Sequence, residues 1–218
     1  DLFEGHISYR EFGEAYDPAV GFVTRNGFRR AEPRFAINPR PKFIPWIRQI
    51  KTWGQWRHLW DMSNRLITKN YQYNLFEIIF EDGSNFELQL IRKFELLDEE
   101  FEIHDGIVLP AGEYNYNSWR ISGWTAIHRP FSVQYILSGG DFWSGEKMQY
   151  SFSFDYKPYP GIEIKSSIQF NDVTLPQGDF KTNLFQLEGG IHLTPWSSFI
   201  SSLQYDDVSE VVGLFTKF

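Results

Sequence analysis

The sequence contains no cysteine, no long apolar run and no excess of positive charge. The absence of cysteine excludes disulfide scaffolds, thiolate zinc sites, iron–sulfur clusters and cysteine nucleophiles. No run reaches the ~18–20 apolar residues that a membrane-spanning helix requires, which excludes a helical membrane protein. With 21 Lys and Arg against 28 Asp and Glu, the net charge of −7 argues against nucleic-acid binding, because such proteins usually carry a basic face.

Aromatic residues are abundant instead. Phe, Tyr and Trp number 21, 11 and 8, and they make up 18% of the 218 residues. A core is filled mainly by Leu, Ile, Val and Ala and does not require so many aromatic rings. The length indicates one domain or part of a larger one. A mean hydropathy of −0.39 is compatible with a membrane β-barrel, because barrel strands alternate apolar and polar residues.

The dominant pattern along the chain is alternation with a period of two, which is typical of a β-strand with one apolar face. Its clearest example is the segment 147–156, where one face is apolar and the other is polar. The apolar side chains there are Met148, Tyr150, Phe152, Phe154 and Tyr156. A second alternating segment follows the turn sequence Tyr159-Pro160-Gly161, and the two segments predict a β-hairpin.

Segments of this kind recur along the whole chain, and none of them shows a helical period with capping residues. They lie at 5–14, 28–37, 46–60, 65–81, 85–96, 118–127, 131–140, 147–156, 162–170, 181–193, 197–206 and 211–218. The sequence therefore predicts an all-β fold, an antiparallel meander of about twelve strands. The segments 46–60 and 65–81 lose phase partway, which predicts bulges or strands that extend beyond the sheet.

The connections between these segments alternate between short and long. Short turns are predicted at Asp82-Gly83-Ser84, His128-Arg129-Pro130, Tyr159-Pro160-Gly161 and Thr194-Pro195-Trp196, and long loops at 15–27, 97–117, 140–146 and 172–180. In a meander this order puts the short turns at one end of the sheet and the long loops at the other. Outer-membrane β-barrels have this asymmetry.

A sheet with one apolar and one polar face has two common solutions. In a soluble barrel or sandwich the apolar face is buried, whereas in a membrane β-barrel it faces lipid and the polar face lines the interior. Aromatic residues near strand ends favour the membrane barrel, because Tyr and Trp prefer the headgroup level. They are Trp119, Phe131, Tyr156, Phe170, Phe185, Trp196, Phe199 and Tyr205.

In the membrane interpretation, a set of polar side chains lines the interior of a transmembrane β-barrel. They are Lys147, Gln149, Asp155, Glu163, Lys165, Gln169, Gln186 and Glu188. The alternative is a soluble β-barrel that binds an apolar ligand on an inward aromatic face.

The segment 16–30 resembles a motif, F-N-P-x-x-G-F-V-x-R-x-x-x-R, of a family of uncharacterised outer-membrane β-barrels found downstream of a carbohydrate-binding family 9-like domain. Further segments resemble this family in the same order. They are Asn38-Pro39-Arg40-Pro41, 94–103, Leu109-Pro110-Ala111-Gly112-Glu113-Tyr114, Gly140-Asp141-Phe142-Trp143-Ser144-Gly145 and 171–180. Together the segments extend over nearly the whole chain.

The resemblance implies that residues 1–218 are the C-terminal portion of an outer-membrane β-barrel domain, a partial barrel truncated at both ends. It implies a location in the outer membrane of a Gram-negative bacterium, with outer-membrane lipid and a saccharide ligand as partners. The expected function is ligand passage or surface binding, with carbohydrate suggested by the accessory domain. The alternatives are an outer-membrane polysaccharide hydrolase and a carbohydrate-binding protein. No cofactor and no nucleic acid partner are expected.

One predicted loop holds the densest group of ionisable side chains. They are Asp98, Glu99, Glu100, Glu102, His104 and Asp105. Carboxylates suit calcium or the acid and base of glycoside cleavage. However, the spacing matches no EF-hand, and runs of charge usually mark solvated loops. No G-x-S-x-G motif is present, and the five histidines lack metal-ligand spacing. The sequence therefore assigns no catalytic residue and no metal site, and it favours a protein that is not an enzyme.

Two sets of residues in predicted loops are candidates for ligand contacts. Arg25, Arg29 and Arg30 lie in or beside a loop interrupted by apolar residues, which predicts a segment folded into the interior with arginines binding anionic or hydroxyl-rich groups. The alternative is a loop held by its own buried side chains. Tyr114 and Trp143 are candidates for stacking on sugar rings, and packing within the loops explains them equally well.

Overall fold

The computed structural model describes residues 1–16, 26–194, 196–207 and 211–218. Within these ranges it contains fourteen β-strands and no helix, so the all-β prediction is confirmed. The strands are β1 (Phe3–Phe12), β2 (Phe28–Ile37), β3 (Ile47–Asp61), β4 (Leu66–Phe80), β5 (Asn85–Leu97), β6 (Phe101–His104), β7 (Ile107–Leu109), β8 (Gly112–Trp124), β9 (Phe131–Phe142), β10 (Gly145–Tyr159), β11 (Ile162–Leu175), β12 (Gly178–Thr194), β13 (Ser197–Asp206) and β14 (Val211–Lys217). None of the described residues belongs to a helix that is long and apolar enough to cross a membrane.

Twelve of the strands form one antiparallel sheet in which each strand pairs with its neighbours along the chain. β5 pairs directly with β8, and β6 and β7 form a separate two-stranded hairpin between them. All twelve predicted segments are strands of the large sheet, so the antiparallel meander is confirmed. In the described residues β1 pairs only with β2 and β14 only with β13, and the sheet is therefore open.

β4 contains a bulge where its loss of phase predicted one. The β4–β5 register shifts between Asn74 and Phe76, and the β3–β4 register shifts at the same level. An extra residue at such a point moves the following side chains to the opposite face. Tyr73 lies opposite Leu90, and Phe76 lies opposite Leu88, so these odd and even positions of β4 share one face.

The register assigns apolar side chains to one face of the large sheet, here called the apolar face. Residues directly opposite each other in neighbouring strands point to the same face. Phe152 of β10 lies opposite Tyr135 and Ile168, and Ile168 lies opposite Phe185, which in turn faces Tyr205. The aromatic residues predicted near strand ends also share this face, apart from Trp196 in the β12–β13 connection. The opposite side is called the polar face.

The apolar face is exposed. Leu90, Phe170 and Leu214 on this face are 44%, 45% and 69% exposed, so no described part of the chain covers them. The accessible surface of 14046 Å² exceeds the roughly 10,400 Å² expected of a compact monomer of this mass. The large sheet is therefore a single layer whose apolar face is left open by the described residues.

A small hydrophobic cluster, here called the hairpin cluster, lies at one end of the polar face. Ile107 and Leu109 of β7 pack against Val173 and Leu175 of β11, and Leu109 has no exposed surface. Val173 is opposite Lys147, which belongs to the polar face. The surrounding side chains are Leu97, Ile103, Phe142, Trp143 and Phe180. The β6–β7 hairpin therefore folds back over the polar face.

Two of the predicted long loops are wrong. Residues 140–146 and 172–180 lie mostly in strands, and two-residue turns join β9 to β10 and β11 to β12. The polar residues there continue the backbone ladder, because Asp141 is opposite Glu146 and Asp172 is opposite Lys181. In 172–175 the apolar side chains change face, because Val173 and Leu175 lie on the same side as Lys147, so the alternation loses its phase although the pairing continues.

The predicted asymmetry between short turns and long loops does not hold. Residues 97–117 contain the β6–β7 hairpin and the start of β8. Most of the segment 15–27 lies outside the described residues. The connections at 81–84, 125–130 and 160–161 are short, as predicted, but short turns also occur at the opposite end of the sheet.

Successive strands are displaced along their axes in one direction. A row of directly opposite residues runs from Phe86 in β5 to Tyr205 in β13. Phe86 is the second residue of β5, whereas Tyr205 is the ninth residue of β13, and both strands begin at the same end of the sheet. The row shifts by about seven residues over six strand-to-strand steps, and a stagger of this kind is what barrel closure requires.

Candidate functional site on the polar face

The eight side chains predicted to line an interior share the polar face. Asp155 lies opposite Lys165, and Lys165 lies opposite Glu188, so these three residues form a row across β10, β11 and β12. The others occupy the same face because each differs in position from the row's member of its own strand by an even number. They are Lys147, Gln149, Glu163, Gln169 and Gln186.

An ion-pair network, here called the acidic network, connects three of these strands. Lys157 Nζ lies 2.7 Å from Asp155 Oδ2 and 3.6 Å from Glu163 Oε1. Lys165 Nζ lies 3.1 Å from Glu163 Oε2 and 3.7 Å from Glu188 Oε1. Three carboxylates thus surround two ammonium groups, and the network is net negative. Its partly exposed pairs stabilise the fold weakly, by about 0–1 kcal/mol each.

A cavity of about 490 Å³ lies beside the acidic network. Its lining includes Asp155, Lys165, Gln186 and Glu188 from the sheet, with Trp124 and Ile127 from the end of β8 and the β8–β9 connection. This volume falls within the ~300–1,000 Å³ range of small-molecule sites. Charged and amide groups beside an indole ring suit a small hydroxyl-rich ligand.

Other carboxylates of the polar face are held by hydrogen bonds. Glu32 Oε1 accepts bonds from Gln55 at 2.5 Å and from Arg57 Nη2 at 2.6 Å. Glu87 accepts bonds from Asn74 at 2.8 Å and from the Ser122 hydroxyl at 3.1 Å. These hydrogen bonds hold both carboxylates against side chains of neighbouring strands, so they stabilise the sheet.

The two aromatic ligand candidates lie together in the packing around the hairpin cluster. The rings of Tyr114 and Trp143 are 5.3 Å apart in an edge-to-face arrangement, and Trp143 also packs 5.9 Å from Tyr116 and 6.5 Å from Phe101. Tyr114 is buried, and its hydroxyl donates a hydrogen bond to the Pro110 carbonyl at 2.6 Å. The rings of Tyr114 and Trp143 are therefore engaged in packing within the protein.

The arginine candidates are not brought together. Arg29 and Arg30 are consecutive residues of β2 and point to opposite faces of the sheet. Arg29 lies 3.4 Å from Glu11 and donates a hydrogen bond to the side chain of Asn64, whereas Arg30 Nε lies 3.5 Å from Glu32. Arg25 lies outside the described residues.

The acidic loop is exposed. Asp98 forms an ion pair with Arg65 at 2.7 Å, and Glu99 and Glu100 point to solvent. Glu102 accepts the Gly106 backbone N–H at 2.8 Å and thereby closes the β6–β7 turn. Across the described part of the chain, no group of three or more His, Asp or Glu side chains is arranged to hold a metal ion.

Two features of the polar face have no counterpart in the sequence patterns. The hairpin cluster brings Ile107 and Leu109 of β7 against Val173 and Leu175 of β11, which lie more than sixty residues later in the chain. Lys147 and Gln149 line a second cavity together with residues of β5, β8 and β9, and again no local motif joins them.

Comparisons with family models, with curated proteins and with solved structures return no match for this chain.

Proposed function

We propose that the chain forms part of the wall of an outer-membrane β-barrel of a Gram-negative bacterium, with lipid against its apolar face. The polar face then lines the interior and serves ligand passage or surface binding. A saccharide is the proposed ligand, because the sequence resembles the barrel family associated with a sugar-binding-like domain.

The observation that carries this proposal is the exposed apolar face. Its large side chains are exposed along the sheet, which in water is unfavourable by roughly 25 cal/mol per Å² of apolar surface. Lipid removes that cost. β3–β5 and β8–β12 contain 12 to 17 residues each, more than the ~9–11 that a tilted strand needs to cross a bilayer.

The contents of the polar face support the same orientation. The β6–β7 hairpin folds back onto this face, and the cavity beside the acidic network opens on it. Segments folded into the interior and polar linings are typical of outer-membrane barrels. A soluble barrel of opposite orientation requires the aromatic face to close over a core, and the described residues leave that face open.

Membrane association of the intact protein tests the proposal. We expect it to be monodisperse only in detergent, to float with phospholipid vesicles in a density gradient, and to stay with them in high salt and alkaline carbonate. Retention under these conditions separates insertion from electrostatic adsorption, which salt screens. A monomer that remains in solution without detergent contradicts the proposal.

A further inference from the structure

Three cationic side chains surround a hollow in the polar face. Lys93 of β5, Arg120 of β8 and Lys147 of β10 all line a cavity of about 240 Å³. β8 and β9 separate β5 from β10, so the outer two strands are about 14 Å apart at 4.8 Å per strand. Lysine side chains reach inward from both sides over this distance.

The hollow exists because the residues at its centre are small. Ser118 lies opposite Gly140, which lies opposite Lys147, and Arg120 lies opposite Ser138 in the adjacent row. Gly140 has φ 124°, and a Cβ atom there would lie 2.6 Å from the Asn117 carbonyl oxygen. A larger residue at position 140 is therefore strongly disfavoured by the backbone.

The three cations lack anionic partners among the described residues. None of them is in an ion pair there, whereas Lys51, Arg57 and Lys165 on the same face each pair with a glutamate. Lys93 lies over the Tyr116 ring at 5.8 Å, and Lys147 lies over the Phe142 ring at 5.3 Å.

The remaining polar groups at the hollow leave room for an acceptor. Arg120 Nε is buried without a hydrogen-bond acceptor. The rim carboxylate of Asp141 accepts the Asn117 backbone N–H at 3.1 Å. Three like charges around a partly buried space repel one another, and the attraction of each cation to a bound anion offsets that repulsion.

We propose that this hollow binds the oxyanion group, a carboxylate or a sulfate, of a small acidic solute. Arg120 supplies the planar fork that matches such a group, and the two lysines supply charge on either side. The hydroxyls of Ser118 and Ser138 are further donors at the hollow. The volume is below that of drug-sized sites and fits one charged group or a single sugar acid. The inference rests on the proposed function, in which the polar face encloses an interior.

Calorimetric titration of the intact protein in a non-ionic detergent tests the site. We expect sodium glucuronate to bind and glucose, its neutral counterpart, not to bind. Arg120→Gln and Lys147→Gln each lower the glucuronate affinity at least about tenfold, because each removes a charge-assisted contact. Arg120→Lys keeps the charge without the fork and restores part of the affinity. Lys51→Gln, which removes a paired lysine from the same face, leaves the affinity unchanged.

Titration with sodium sulfate distinguishes the source of the oxyanion. Binding of both ions assigns a general oxyanion site, and binding of glucuronate alone assigns a sugar acid. Equal heats from glucuronate and glucose, or equal losses in Lys51→Gln and Arg120→Gln, overturn the site. Circular dichroism identifies any variant that fails to fold. If Arg120→Gln does not fold, the affinity of Arg120→Lys for glucuronate decides whether Arg120 contributes to the site. A protein that requires detergent but binds no anion refutes this inference alone, whereas a detergent-independent monomer refutes the proposed function.

Discussion

Gly140 combines a backbone constraint with a packing constraint. Its φ of 124° is unfavourable for L side chains, and an added Cβ meets backbone atoms of Asn117 and Ser118 at 2.6 and 2.9 Å. We expect Gly140→Ala to lower the free energy of unfolding by about 1–3 kcal/mol, measured by urea unfolding. Gly189→Ala is the matched control, since no heavy atom lies within 4 Å of a Cβ at that position. Equal costs at the two positions contradict the argument.

Asp82 confers a pH dependence on the β4–β5 connection. Its carboxylate accepts the Ser84 hydroxyl at 2.5 Å and the Ser84 backbone N–H at 2.9 Å, and these bonds, the hydroxyl first, lower the pKa of Asp82 below its ordinary value of 3.8. A lowered pKa in the folded state stabilises the fold above the unfolded-state pKa, and this contribution is lost as the pH falls through the folded-state pKa.

The corresponding variant is Asp82→Asn. We expect the wild-type protein to be the more stable of the two near neutral pH, and the difference to shrink below about pH 4. Urea unfolding at a series of pH values measures this difference. A difference that stays constant down to about pH 2 means that the ionised carboxylate is not the stabilising group.

The β6–β7 hairpin depends on apolar contacts to β11. Leu109 is fully buried, whereas the preceding residue, Val108, is 38% exposed. We expect Leu109→Ala to cost about 2–5 kcal/mol and to accelerate hydrogen exchange of the hairpin amides. Val108→Ala has a much smaller effect on both measurements. Similar exchange rates in the two variants are inconsistent with a hairpin anchored through Leu109.

The two faces of β10 respond differently to charge. Phe152 lies on the apolar face near the middle of the strand, and Ser153 lies on the polar face opposite Gln134 and Ser167. In a bilayer, Phe152→Arg is expected to cost about 2–4 kcal/mol, whereas Ser153→Arg enters a polar environment and costs less. Urea unfolding of the vesicle-inserted protein measures both. Equal costs show that the faces are assigned wrongly.

The strands were predictable because alternation is a local signal. Every segment with a period of two is a strand, and the loss of phase in 65–81 marks the bulge at Asn74 and Phe76. The signal fails where the apolar side chains change face, as at Val173 and Leu175, or where glycine and charge interrupt them, as in 140–146. The sequence therefore predicts loops at 140–146 and 172–180, where the structure has strands. β6 and β7 lie beside an acidic run and have only four and three residues, so they are too short to show a period of two.

The candidate site was predictable only in part. Alternation assigns Lys147, Asp155 and Lys165 to the polar face, because this requires only the parity of each strand. The hollow with Lys93 and Arg120 depends on the register between β5, β8 and β9, and sequence patterns do not define that register. The three cations of the hollow are brought together by pairing between distant strands, and no motif of neighbouring residues predicts this.

At the scale of the whole molecule, the stagger of the strands defines a tilt. A shift of about seven residues over six steps, at 3.3 Å per residue and 4.8 Å per strand, gives about 40°. Outer-membrane barrels have strands tilted by ~35–45°. We expect polarised infrared spectra of oriented bilayers containing the protein to give a strand tilt near this value. Strands nearly parallel to the membrane normal contradict the proposed barrel geometry.

The same tilt determines how thick a bilayer the protein fits. Met148 and Tyr156 bound the apolar side chains of β10 and are eight residues apart, which at a tilt of about 40° corresponds to a height of about 20 Å. With the side chains at both ends, the band approaches the ~25 Å of outer-membrane barrels. The outer membrane is thinner than an average bilayer. Short-chain lipids therefore match this sheet, and thick bilayers must deform around it.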